Sequence, residues 1–175
     1  MGSIKKLRKK YKTPAHPWIK ENIETEKKLK QEYEFKNKRE YFKMASTLKT
    51  FKDRAKKLIA ASGMQAETER RQLMKRLHTY GLLEESAKLD GILGLTINDI
   101  MERRLQSIVF RKGLARSMKQ ARQLIAHRHV MVGEKKITSP SYLVPKAEEG
   151  TVAFDAHSSF SSPDHPERAA IQKQE

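Results

Sequence analysis

Two histidines stand one residue apart, His127 and His129, within RKGLARSMKQARQLIAHRHVMVGEKK (residues 111–136). Imidazoles at that spacing on a strand can share a zinc ion, but a structural zinc site takes four ligands. The chain has no cysteine, the remaining histidines (His16, His78, His157, His165) form no matching cluster, and Arg128 between the pair repels a cation. No metal is expected. His127 instead suits a helix C-terminus, where the dipole favours positive charge. Carboxylate pairs occur at Glu84/Glu85 and Glu148/Glu149, but adjacent side chains point apart and neither pair lies in a basic block. GILGL lacks the lysine of a phosphate-binding loop and the third glycine of a dinucleotide fold. No catalytic set is visible, so no enzyme activity, cofactor or small-molecule substrate is expected.

The cations suggest different chemistry. On a helical wheel over IMERRLQSIVFRKG, Met101, Leu105, Ile108 and Val109 share one side. Arg103, Ser107 and Arg111 lie opposite, with Arg104 at the edge. In the next helix Met118, Ala121, Leu124 and Ile125 form an apolar side, while Lys119, Arg122, Gln123 and His127 face away. Helices packed through those apolar sides present one basic surface, extended by Arg116 at the turn and by Lys135 and Lys136. Guanidinium forks fit phosphates bidentately, and backbone N–H groups at a helix start add to them.

The elements positioning these residues are legible in part. Ser117-Met118-Lys119-Gln120 reads as a capping box, and HVMVGEKKIT as a hairpin whose leading Gly133 suits a type II′ turn. SPSYLV and TVAF read as two further strands of a small sheet. Upstream, residues 19–61 are helix-favouring, with Glu24/Lys28 and Glu26/Lys30 at supportive spacing. There Leu48, Phe51, Ala55, Leu58 and Ile59 form an apolar face. A further helix spans residues 67–80, with Leu73, Met74 and Leu77 inward and Gly81 as its left-handed terminator. A short packing helix follows in LLEESAKLDGILGL, and Thr96 to Asp99 supply N-caps.

Residues 1–18 hold two prolines and a run of cations, and read as an extended arm. Lys5, Lys6, Arg8, Lys9, Lys10, Tyr11 and Lys12 give it phosphate-neutralising charge with an aromatic for stacking. A solvated tail is the plainer reading. His16-Pro17-Trp18 suits stacking or a plug into a protein partner. The end, HSSFSSPDHPERAAIQKQE, reads as a tail or a loosely docked segment.

The net charge of +16 over 175 residues is uneven: +12 in residues 1–60, −1 in 61–100, +9 in 101–147 and −4 in 148–175. Such a field draws in polyanions. No apolar run approaches the roughly 20 residues that span a bilayer, and the N-terminal stretch lacks a signal-peptide core. A soluble, cytoplasmic protein without membrane contact is expected. The helix pair could mimic a DNA-reading helix–turn–helix, but two basic blocks tied to a small sheet favour folded RNA read by shape.

The stretch ERRLQSIVFRKGLARSMKQARQLIAHRHVMVGEKKITSPSYLV resembles the RNA-binding module named for the S-four family of small-subunit ribosomal proteins. KKLRKKYKTPAHPW, NKREYFK at 37–43, LMKRLHTYGLL, LDGILGLTINDIMERRLQ and SPDHPER resemble its archaeal type, so the likeness runs through essentially the whole chain. It implies an α+β fold: a helical part over residues 1–97 with a basic arm (1–18), the module over 98–156 and a tail over 157–175. It implies a structural constituent of the small subunit that binds rRNA early and nucleates assembly. It also implies a neighbour of the S-five family and a place near the mRNA entry channel, affecting accuracy. The positions matching the module's RNA-facing surface are Arg103, Arg104, Arg111, Arg116, Ser117, Lys119, Gln120, Arg122, Gln123, His127 and His129. The hairpin departs from the family's usual Asn-Gly turn, placing an acid at its tip, and the cysteine zinc site of some bacterial members is absent. The competing reading is a free-standing regulatory RNA- or DNA-binding protein.

Overall fold

A computed structural model describes residues 9–84, 87–162, 165, 166 and 168; Lys5, Lys6, Arg8, Glu85 and most of residues 163–175 lie outside them. The first half is three helices: α1 (Lys20–Tyr33), α2 (Lys38–Ala60) and α3 (Met64–Thr79). Each is rich in charged residues and buries a narrow stripe. Leu29 and Tyr33 of α1, Met44, Phe51, Ala55 and Leu58 of α2, and Leu73 and Leu77 of α3 share one core. Leu48 and Met74 pack against it as their spacing predicts, but Ile59 is 44% exposed, beyond the last buried turn of α2. Glu26 turns from α1 to Lys38 of α2 at 2.8 Å, across the inter-helix gap, not along its own helix.

Gly81 ends α3 at φ +65°, its N–H donating to the His78 carbonyl while Leu82 N–H donates to Leu77. That closure satisfies two carbonyls the helix leaves over and needs the left-handed conformation that glycine takes freely. The expected short helix is only α4 (Gly91–Gly94), which buries Ile92 in the same core.

From Thr96 onward the structure departs from the wheel. α5 (Ile97–Glu102) opens with a Thr96/Asp99 capping box, then stops, and α6 (Leu105–Arg111) begins afresh. Residues 103–106 between and at the start of these helices bond to the 140–144 segment. Leu105 N–H donates to the Tyr142 carbonyl (2.8 Å), and Val144 N–H to that of Arg103 (2.9 Å). SPSYLV is therefore no strand of the sheet. The Pro140 and Tyr142 carbonyls and the Val144 N–H bond to the α5–α6 break instead, with one isolated bridge between Arg104 and Leu143.

α7 (Met118–Ala126) follows a turn closed at Gly113 like that at Gly81. The hairpin is β1 (Val130–Val132) and β2 (Lys135–Lys136), and β3 (Val152–Phe154) pairs antiparallel on the other side of β1. Gly133 takes φ +58° and Glu134 keeps a negative φ, the pattern of a type II′ turn. Between 140–144 and β3 lies one helical turn, α8 (Lys146–Glu149). A second core joins Leu105, Ile108 and Val109 of α6, Ala121, Leu124 and Ile125 of α7, and Val130, Val132, Val144 and Val152. Phe160, at the short 3-10 turn Ser159–Ser161, packs on this core, so the C-terminal segment is docked through that point. The fold is α+β, with the sheet confined to the second half.

Candidate nucleic-acid interface

α7 is built to show one side. Ser117 caps it by accepting the Gln120 N–H at 3.2 Å, as the sequence motif predicts. The return bond differs: Gln120 Oε1 accepts from Arg116 N–H (2.8 Å), one residue before the cap, and so fixes the turn into the helix. Ala121, Leu124 and Ile125 are buried against α6. Lys119, Gln123 and His127, four residues apart, run as an exposed row along the opposite side. Arg116 stands exposed at its start and Arg128 at its end.

Arg128 is the third helix closure of its kind. Its N–H donates to Ile125 and that of His129 to Leu124, with Arg128 at φ +65° where glycine stands in the other two. Nothing in the sequence marks that conformation, since RH reads like any polar pair.

The other half of the expected surface is corrected. With the helix broken at 103–104, Arg104 turns inward and is 1% exposed. It meets Glu40 of α2 at 2.7 Å and lies over the Phe35 ring at 5.0 Å. Arg103 bonds the Glu149 carboxylate (2.7 Å) and the Val144 carbonyl (3.0 Å), tying α8 to the break. Ser107 is buried, donating to the Met101 carbonyl at 2.7 Å. Only Arg111 of that row stays outward: half exposed, it pairs with Glu102 (2.8 Å) and its carbonyl (2.6 Å).

Glu40 is the residue the sequence reading missed. It accepts two bonds from Arg122 (3.1 and 2.7 Å) besides the one from Arg104, so one carboxylate serves two arginines of the second half. Burial would raise its carboxyl pKa, but the bonds from Arg122 and then Arg104 outweigh it and hold it below the ordinary value. The Arg104 guanidinium is lowered by burial, with Glu40 opposing. Partners 64 and 82 residues apart leave no local signal. Gln106, also buried, donates to the Met118 carbonyl at 2.9 Å, tying α6 to α7, and its amide also reaches the Tyr33 carbonyl of α1 at 3.5 Å across that junction.

The rim and arm divide likewise. Lys135 is exposed, while Lys136 pairs with Asp155, whose carboxyl it holds below the usual range. The His127 and His129 rings lie 6.4 Å apart, and His129 is engaged: Nδ1 lies 2.8 Å from Ser158 Oγ and Phe160 meets its ring edge-on. Among the described residues no group of three or more His, Asp or Glu assembles a metal site. Lys9, Lys10 and Lys12 of the arm are exposed. Tyr11 stacks on Phe42 (6.3 Å between centroids, 13° between planes), and Lys12 N–H donates to Ser46 Oγ at 2.9 Å. The arm is therefore pinned along α2.

What this arrangement can do is hold phosphates. It offers exposed cations along one face of a packed helix, with no nucleophile paired to a general base among the described residues of that face. Residues 103–149 match the family model described as the S4 domain. The Small ribosomal subunit protein uS4 of Methanococcus aeolicus is 49% identical over 169 residues, covering 96% of each chain. The protein of the same name from a strain of Methanococcus maripaludis is 46% identical over 176 residues, covering all of this chain and 99% of its own.

Proposed function

The chain belongs to the uS4 family of small ribosomal subunit proteins, and we propose from that premise that it is a structural, non-enzymatic component of the small subunit that holds rRNA. The observation carrying this is likeness at 46–49% identity in matches that cover 96–100% of this chain, so both halves are included. The geometry supports it: α7 spends its apolar side on the core and leaves Arg116, Lys119, Gln123, His127 and Arg128 outward.

The rRNA-facing surface is that row with Arg111, Lys135 and the arm cations Lys9, Lys10 and Lys12. Ser117, Gln120, His129 and Lys136 shape it while engaged in bonds of their own. Arg122 contributes the part of its fork that Glu40 leaves open. Affinity comes mainly from phosphate neutralisation, and selectivity from RNA shape. The chain works in the cytoplasm within the small subunit, where it binds rRNA early and helps one rRNA domain fold. Its protein neighbour is of the S-five family, and its position near the mRNA entry channel contributes to decoding accuracy.

Sucrose-gradient sedimentation of lysate at moderate and high salt tests the reading. Co-migration with small subunits that survives a salt wash is expected, and a free, slowly sedimenting chain overturns it. For the isolated chain and rRNA, neutralising about six to ten phosphates predicts a slope of log affinity against log salt of roughly −4 to −9.

A further inference from the structure

We propose that Trp18 is a stacking platform for an unpaired rRNA base; this rests on the rRNA reading above. Trp18 is the single tryptophan of the chain and is 88% exposed. Singly exposed apolar residues are ordinary, so exposure alone assigns nothing. Its mounting does. The chain is held on α2 at Tyr11 and Lys12, runs through Pro14 to a turn at Pro17-Trp18, and enters α1 at Lys20.

The indole therefore sits at the apex of a short span pinned at both ends, with two prolines limiting its backbone freedom. A partner stacking there meets a ring whose backbone mount is already held, which lowers part of the ordering cost of binding. Ile19 beside it is 45% exposed, so the turn offers apolar surface in a segment with no core of its own.

Charge selects the partner. Residues 9–20 contain Lys9, Lys10, Lys12 and Lys20 and no acid, and all four lysines are exposed. An apolar protein pocket has no use for a basic segment of this kind, whereas a nucleotide supplies both a π-face for the indole and a phosphate for the lysines. An unpaired base fits, because a paired one is stacked within its helix and its faces are closed.

The lone tryptophan makes the test direct, using the full chain and small-subunit rRNA. Filter binding gives affinity, and Trp18 fluorescence with acrylamide quenching gives the state of the ring. Binding is expected to quench the emission and to shield the indole from acrylamide. Trp18→Ala should lose about tenfold in rRNA affinity, and Trp18→Phe, which keeps a stacking face, should lose about threefold or less. Circular dichroism should not change in either variant, since the ring supports no core.

Tight rRNA binding with unchanged emission, and Trp18→Ala as tight as the parent, overturns the proposal and leaves the rRNA reading standing. So does emission that moves only when other small-subunit proteins are added, which assigns the ring to a protein pocket. Absence of any rRNA binding in the filter titration takes down both readings together.

Discussion

Arg128 holds, with a full side chain, a backbone conformation that glycine holds at the two matching helix ends. For an L-residue the left-handed region costs about 1–2 kcal/mol, while glycine loses roughly 0.5–1 kcal/mol more backbone entropy on folding. Arg128→Gly should therefore raise stability by about 0.5–1 kcal/mol in urea unfolding, and weaken rRNA binding by the loss of one outward cation. Unchanged or lowered stability would mean that the guanidinium has a compensating contact. Residues whose partners lie within a turn were readable in the sequence: Ser117 caps Gln120 as its spacing predicts. Arg104 was not, because the carboxylate that draws it inward lies 64 positions away.

Among the elements, α6 and α7 separate binding from folding. Arg111, Arg116 and Lys119 sit on the outer side; the pair of Arg111 with Glu102 is half-exposed on both sides, and exposed Lys119 reaches the more buried Glu34 only at 3.8 Å. Such pairs contribute about 0–1 kcal/mol. Changing all three residues to Ala should leave circular dichroism intact and stability within about 1–2 kcal/mol, while the salt slope of rRNA binding loses roughly 2–3 units. Leu124→Ala, from the buried side, should cost about 2–5 kcal/mol in denaturant unfolding before binding is affected. Loss of fold in the triple variant would reverse these assignments. Apolar periodicity located both helices, because periodicity reports burial. It did not show that 97–111 is two helices, since Met101, Leu105 and Ile108 stay in phase across the break. The break depends on backbone bonds to 142–144, and distant hydrogen bonds leave no period. The same bonds removed SPSYLV from the sheet, while TVAF, whose partner is β1, was legible as β3.

Across the middle of the molecule, beside the shared apolar core, one carboxylate serves two arginines. Glu40 joins α2 to Arg104 and Arg122, so the first half and the S4 module share charge as well as apolar surface. Glu40→Gln leaves a guanidinium that is 1% exposed without its counter-ion, and should cost about 3 kcal/mol. The pH dependence follows from the direction of the shift. A carboxyl held below its ordinary 4.5 in the folded state favours folding above that pH, and the gain fades as pH falls through the lowered value. Glu40→Gln should therefore flatten the acid limb of stability measured by urea midpoint against pH; an unchanged limb would assign acid sensitivity elsewhere. The two basic blocks were legible in the sequence, but not the bonds from Glu40 to the arginines of the second one. One edge of the sheet carries a last consequence. β2 is two residues long, Lys135 and Lys136, both exposed. An unpaired strand edge invites self-association, and a short, cationic one resists it. Two such chains meeting edge to edge find repulsion and almost no register to share. For a basic chain whose partner is RNA, such an edge disfavours pairing with its own copies and leaves the sheet to its intramolecular partners.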